Sequence, residues 1–194
     1  MPRRLLRDRQ IVIDDWRYVA EAAAEAGEPQ PAAPLPAAPQ PAAPQPAAPI
    51  IVTLAQWQLE PDTWLARGSR LGLALKPADQ VELIAADLQH FALIAAEFSG
   101  PAEGRGYTQA RQLRERWKFR GELRAIGYVR LDQLFFMARC GFNSFEVAES
   151  DLEDAYAAFS TFSAAYQSSN DAGLPHKLRT ATEIRAPRVD HAAE

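Results

Sequence analysis

The densest group of residues able to hold or move charge is the segment Phe98-Ser99-Gly100-Pro101-Ala102-Glu103-Gly104-Arg105-Gly106-Tyr107. Glycines on either side of Arg105 admit backbone angles closed to other residues. A helix expected over about residues 107–118 would aim its unpaired amides back at the loop. A guanidinium beside such amides suits a small oxyanion or a phosphate-bearing ligand, with Gly104, Arg105, Gly106 and Tyr107 as the contacts. The same residues also suit a tight helix entry in which Arg105 pairs with Glu103, and no G-x-G-x-x-G or P-loop pattern singles out phosphate. Glu97, Glu103, Tyr128, Asp132 and Gln133 are expected on the same edge, offering acid, base and hydrogen-bonding groups without a triad geometry. No catalytic residue is assigned.

Cys140 is the only cysteine, which excludes an internal disulfide, a multi-cysteine zinc site and a self-contained iron–sulfur cluster. It precedes Gly141, a fitting helix C-cap. That places the thiol on the sheet edge away from the ligand-binding end, packed rather than acting as nucleophile or sulfur carrier. His90, His176 and His191 are too scattered for a metal site, and His90 reads as the end of a helix. No cofactor is expected, and redox chemistry would need a bound cofactor or partner.

The elements that must position these residues are short apolar runs alternating with helical patterns. Residues 50–54, 71–75, 92–96, 123–126 and 144–147 read as strands, three of them apolar almost throughout, as strands covered on both faces must be. Pro61 and Pro77 suit first helical turns. Ser150 with Glu153 resembles a capping box opening a last helix, whose stripe Leu152, Ala155, Tyr156, Phe159, Phe162 and Tyr166 should cover the sheet. The alternation predicts an α/β domain with a largely parallel sheet of about five strands and crossover helices, doubly wound or partial-barrel-like. Ligands of such sheets bind beyond the carboxyl ends of the strands, which is why the 98–107 loop and the residues after strand 123–126 are singled out.

The length of 194 residues suits one domain. Residues 1–27 read as a small hairpin, over Arg4 to Val12, and a short helix from Trp16 to Ala26 packed on the main domain. Residues 28–49 form an Ala/Pro-rich insert, 50–167 the α/β core, and 168–194 a flexible tail. The insert cannot bury apolar surface. It is expected to be a disordered polyproline-like spacer of up to ~65 Å, either a tolerated loop expansion or a ligand for a proline-recognising groove. A net charge of −4 gives no general attraction to nucleic acid or anionic lipid. No signal-peptide pattern and no apolar run of membrane-spanning length is present, so the protein is expected in the cytosol.

A longer pattern runs through the same region: Gly104-Arg105-Gly106-Tyr107-Thr108, Leu113-Arg114-Glu115-Arg116, Gly121-Glu122-Leu123-Arg124-Ala125-Ile126-Gly127, Asp132-Gln133-Leu134 and Met137-Ala138-Arg139-Cys140-Gly141-Phe142. These blocks, in this order, resemble the bacterial domain-of-unknown-function family numbered 934. The resemblance extends from Asp14-Asp15-Trp16 to Tyr166-Gln167, apart from the insert. The chain departs from the family pattern in having Glu103 where an Asp is usual, and Tyr128-Val129-Arg130-Leu131 where Asp-Val-Leu-Arg is more usual. Members are usually encoded beside sulfite reductase. The resemblance therefore implies an accessory role in assimilatory sulfite reduction, with sulfite reductase as the partner and no established reaction. The alternative is an enzyme or binding protein for a small oxyanion or a phosphate-bearing ligand at the Gly104-Arg105-Gly106 loop.

Overall fold

The computed structural model describes residues 3–19 and 48–159. The expected insert (but for residues 48 and 49), the residues 160–194 and most of the expected first helix lie outside the described residues. All five predicted strands form: β4 (Ile50–Thr53), β5 (Leu71–Leu75), β6 (Phe91–Phe98), β7 (Glu122–Gly127) and β8 (Ser144–Phe145). Each pairs in parallel with the next. The hairpin also forms, as β1 (Arg4–Arg7) and β2 (Gln10–Ile13), with Asp8 and Arg9 carrying positive φ of 50° and 61° through the turn. Two positive φ angles match a two-residue turn to the strand twist, here without the usual Asn-Gly.

The sheet is larger than five parallel strands, and partly antiparallel. Strand β1 pairs antiparallel with β8, while β3 (Arg17–Tyr18) pairs in parallel with β4, giving eight strands in the order β2-β1-β8-β7-β6-β5-β4-β3. Two-residue strands carry no alternation signal. Arg17 and Tyr18 are thus extended where the Ala/Glu-rich composition predicts a helix from Trp16.

The main core lies between one sheet face and the five described helices, α1 (Leu54–Leu59), α2 (Pro61–Ala66), α3 (Arg105–Arg111), α4 (Leu134–Cys140) and α5 (Leu152–Ala158). Val52, Leu73, Ile94 and Leu123 there meet Trp57, Leu113, Met137 and Ala155. The opposite face has its own small core of Trp16, Ile51, Leu93 and Ala95, to which no described helix contributes. Among the described residues the sheet therefore curls as a half-barrel and is not doubly wound. The curl is tight: Tyr18 on β3 brings its hydroxyl to 3.4 Å from Glu146, just past β8, although four strands separate β3 from β8 in the sheet.

Several helix starts differ from expectation. Leu54 belongs to α1 and not to the strand, because Thr53 caps that helix: its Oγ1 accepts from Gln56 N at 3.3 Å while Gln56 Oε1 accepts from Thr53 N at 2.8 Å. Thr53→Ala should lower stability by about 1 kcal/mol in urea denaturation, the usual worth of an N-cap. Pro61 opens α2 as expected, but Pro77 lies in a turn, and the chain beyond it forms only 3₁₀ turns at Val81–Ile84 and Leu88–His90. The Ser150/Glu153 capping box is absent, since Ser150 Oγ donates to Asp151 and α5 starts at Leu152. On α5, Leu152, Ala155 and Phe159 face the core and Tyr156 is exposed; Phe162 and Tyr166 lie outside the described residues.

Candidate functional site at the carboxyl edge of the sheet

Strands β6 and β7 end side by side, and the two loops that leave them form the candidate site. Gly127 takes φ 82°, and Tyr128 N then donates to Phe98 O at 2.7 Å, tying the start of one loop to the end of the neighbouring strand. Helix α3 begins at Arg105, two residues earlier than expected, and continues as a π-helical turn over Gln112–Arg116.

Packing explains Gly106 but not Gly104. A Cβ on Gly106 would lie 2.6 Å from the Phe98 ring, so only glycine lets the buried Phe98 sit under α3. Gly104 has an ordinary φ of −107° and open space around it. The backbone N–H of Arg105 donates to Glu103 Oε1 at 2.9 Å, so one of the amides expected to face an anion already meets a carboxylate. The exposed Arg105 side chain lines a cleft of about 490 Å³ together with Pro77, Asp79, Glu82, Thr108 and Gln112. Gln109, at its base, donates to Lys76 O and Asp79 O at 2.8 and 2.9 Å and clips α3 to the β5 loop.

A second group gathers a few residues away. Tyr107 stacks edge-on against Phe98, with ring centroids 5.0 Å apart, and against Phe136 at 5.1 Å. Burial raises the Tyr107 hydroxyl pKa, and the Cys140 thiol and the Asp132 carboxylate push it further. Asp132 accepts from Arg130 Nε at 3.0 Å, a bond that holds its carboxyl below the usual range. Arg130 Nη1 in turn lies 3.4 Å from the Tyr128 hydroxyl; that bond and the one to Asp132 raise the guanidinium's pKa. Phe136 is 50% exposed and Tyr128 36%. Of the sequence candidates, Tyr107, Tyr128 and Asp132 therefore come together, and Glu103 with Arg105 forms a separate pair. Gln133 precedes α4 as its N-cap residue, its N–H bonded to Arg130 O. Glu97 is half-buried on β6, opposite Ile126 in register, and so faces the inside of the curl and not the rim.

Cys140 ends α4, Gly141 follows as a left-handed C-cap with φ 114°, and the thiol is buried, which pushes its pKa up. His90 closes the second 3₁₀ turn. Among the described residues no His, Cys, Asp and Glu side chains group to hold a metal ion, and no helix is long and apolar enough to cross a membrane.

The strongest electrostatic feature went unnoticed in the sequence. Inside the curl, Arg124 grips Asp14 with two bonds, Nη1 to Oδ2 at 2.9 Å and Nη2 to Oδ1 at 3.0 Å, and also donates to Glu122 Oε1 at 2.8 Å. Arg3 bonds Asp14 and Glu146, and Arg7 bonds Glu122. Three arginines thus meet three carboxylates, with Arg124 and Asp14 at 0% and 1% side-chain exposure. Burial raises the Asp14 carboxyl, but the bonds and charge of Arg124, with Arg3 and the Trp16 N–H added, outweigh it and leave it below the usual range. The signal was available in the alternation Glu122-Leu123-Arg124-Ala125 and in Asp14.

No match is found among curated proteins. The sequence pattern described as "Bacterial protein of unknown function (DUF934)" matches residues 72–176. That span is more than half of the chain and includes β5 to α5, both loops of the carboxyl edge, and Arg124; this protein belongs to the DUF934 family.

Proposed function

We propose that the protein is an accessory component of assimilatory sulfite reduction that docks on sulfite reductase through the carboxyl edge of its sheet. The sulfur connection comes from the family resemblance, whose members are usually encoded beside that enzyme. The observation carrying the docking surface is the exposed set Tyr128, Arg130 and Phe136 with the half-buried Tyr107, whose ring touches Phe136 while Arg130 bridges Tyr128 and Asp132. Aromatic and arginine side chains dominate the energetic centres of protein interfaces, whereas a half-exposed Phe136 gains nothing from water. The rigid β6–β7 pairing holds these side chains in place before binding, which limits the entropy lost on docking.

The test is calorimetry between the purified chain and the sulfite reductase of the same organism. Wild type should bind, and Tyr128→Ala with Phe136→Ala should weaken binding by roughly thirtyfold, the effect of losing about 2 kcal/mol at a hot spot. Both side chains are exposed, so circular dichroism should show an unchanged fold. A deletion strain should grow on sulfide but poorly on sulfate, and the double variant should not restore it. Absence of binding at micromolar concentration, or full restoration by the variant, overturns the reading. The oxyanion alternative rests on the Arg105 guanidinium at its cleft, and loss of sulfite or sulfate binding in Arg105→Ala would favour it.

A further inference from the structure

At the opposite edge of the sheet the backbone is unusual twice within a few residues. The π-helical turn Gln112–Arg116 ends α3, and Lys118 then adopts φ 54°, a left-handed angle that costs a long side chain energy. This path turns Arg114 inward. Its Nε donates to Gly141 O at 2.9 Å, Nη1 to Phe119 O and Gly121 O at 2.7 and 3.0 Å, and Nη2 to Asn143 Oδ1 at 3.3 Å. The fit is close: a Cβ on Gly141 would lie 2.5 Å from Arg114 Cγ.

All four acceptors are neutral. Arg124, the other inward-facing arginine, meets two carboxylates, whereas Arg114 meets none. Burial first, and then the neighbouring Arg120 cation, hold the Arg114 pKa below its usual value. Lys118 and Arg120 are both exposed and form no ion pair among the described residues. The nearby acids do not balance them: Glu115 is bonded to Arg111 at 3.1 Å, and Asp8 is the one carboxylate whose charge supports Arg114, while accepting from Asn143. Arg114, Lys118, Arg120 and Asn143 line a cavity of about 520 Å³ together with Glu115, the carboxylate already bonded to Arg111.

We propose that this cavity binds a tetrahedral oxyanion of the sulfate or phosphate class. Arg114 is the fixed floor, locked by its carbonyl partners, and Lys118 and Arg120 are the two arms that close on the ion. A doubly charged ion supplies the counter-charge that three cations around one cavity carry beyond what Glu115, itself bonded to Arg111, can balance, and charge-assisted bonds to its oxygens replace water on the two arms. The site lies at the far edge from the proposed docking surface and stands or falls independently of it.

The experiment is calorimetry of the full chain with inorganic phosphate and with sulfate, at ionic strength matched with chloride. Wild type should bind at least one of them with a millimolar or tighter Kd. Lys118→Asn, which suits the left-handed angle, combined with Arg120→Gln should weaken binding at least tenfold, the loss of one charge-assisted contact or more, with Tm unchanged in the absence of the ion. Arg105→Gln should bind as wild type does. The proposal fails if wild type binds neither ion at millimolar concentration or if the double variant binds equally well. It also fails if Arg105→Gln is the change that removes binding, which would place the ion at the start of α3.

Discussion

Replacing Arg124 with Met should remove about 3–5 kcal/mol of folding stability, the range found when one partner of a buried ion pair is deleted. For a chain of this size that corresponds to a fall of roughly 6–20 °C in Tm. The size reflects the groups left behind. Asp14 loses the partner that grips both of its oxygens and Glu122 loses its closest cation, and Asp14 is too deeply enclosed for water to replace it. Arg3 still bonds Asp14 at 2.8 Å and Arg7 still reaches Glu122 at 3.3 Å, which keeps the loss within that range. Trp16 packs over Ile51 and Leu93 on the same face, and its backbone N–H bonds Asp14 at 3.3 Å. Loosening Asp14 therefore loosens the segment that closes the curl. Urea denaturation followed by tryptophan fluorescence would read the effect, and a loss under about 1 kcal/mol would mean that the pair is worth no more than a surface salt bridge.

The same pair fixes a pH dependence. Asp14's folded pKa is depressed, so its contribution is complete above the unfolded value of about 3.9 and is lost as pH falls through the folded one. Arg124 is the first of the groups that depress it, ahead of Arg3 and the Trp16 N–H, so Arg124→Met has less of this stability to lose in acid. The stability gap between wild type and variant should accordingly be widest at neutral pH and should narrow by about pH 3. A gap that stays constant would show that Arg124 stabilises by packing alone.

Why this network escaped the sequence while the strands did not is a matter of range. Strands β4 to β8 announce themselves in local apolar runs, and Cys140-Gly141 marks a helix end within two residues. Arg124 and Asp14 are far apart in the chain, and polar residues alternating with Leu123 and Ala125 read as a solvent-facing strand. Only the curl of the sheet, closed by Tyr18 and Trp16, turns that face inward. The curl itself depends on β3, which is too short to carry a periodic signal, and on the pairing of β1 with β8, which no local pattern encodes. At the candidate site, location was legible and chemistry was not. Tyr128, Asp132 and Tyr107 do gather at the expected edge, but Gly106 answers to the Phe98 ring, a contact that no spacing rule encodes.

Phe98 is also the origin of the second large effect. Gly127→Ala should cost about 2–4 kcal/mol, because it combines a left-handed φ with overpacking of a filled site. Gly127 has φ 82°, and a Cβ there would lie 2.5 Å from Phe98 O, backbone of a strand paired on both sides that cannot withdraw. The bond from Tyr128 N to Phe98 O would stretch with it, moving Tyr128 away from Arg130 and spoiling the proposed docking surface even in molecules that stay folded. Gly106→Ala presses on the same residue differently, since its Cβ would meet the Phe98 ring at 2.6 Å, a side chain that can be shortened. Phe98→Leu should therefore offset part of the Gly106→Ala loss and none of the Gly127→Ala loss, a difference that a pair of double-mutant cycles reads directly. Rescue of both variants alike, or a Gly127→Ala cost below about 1 kcal/mol, would mean that β7 can slide away from β6 at this edge and that the site is not held rigidly by the strand pair.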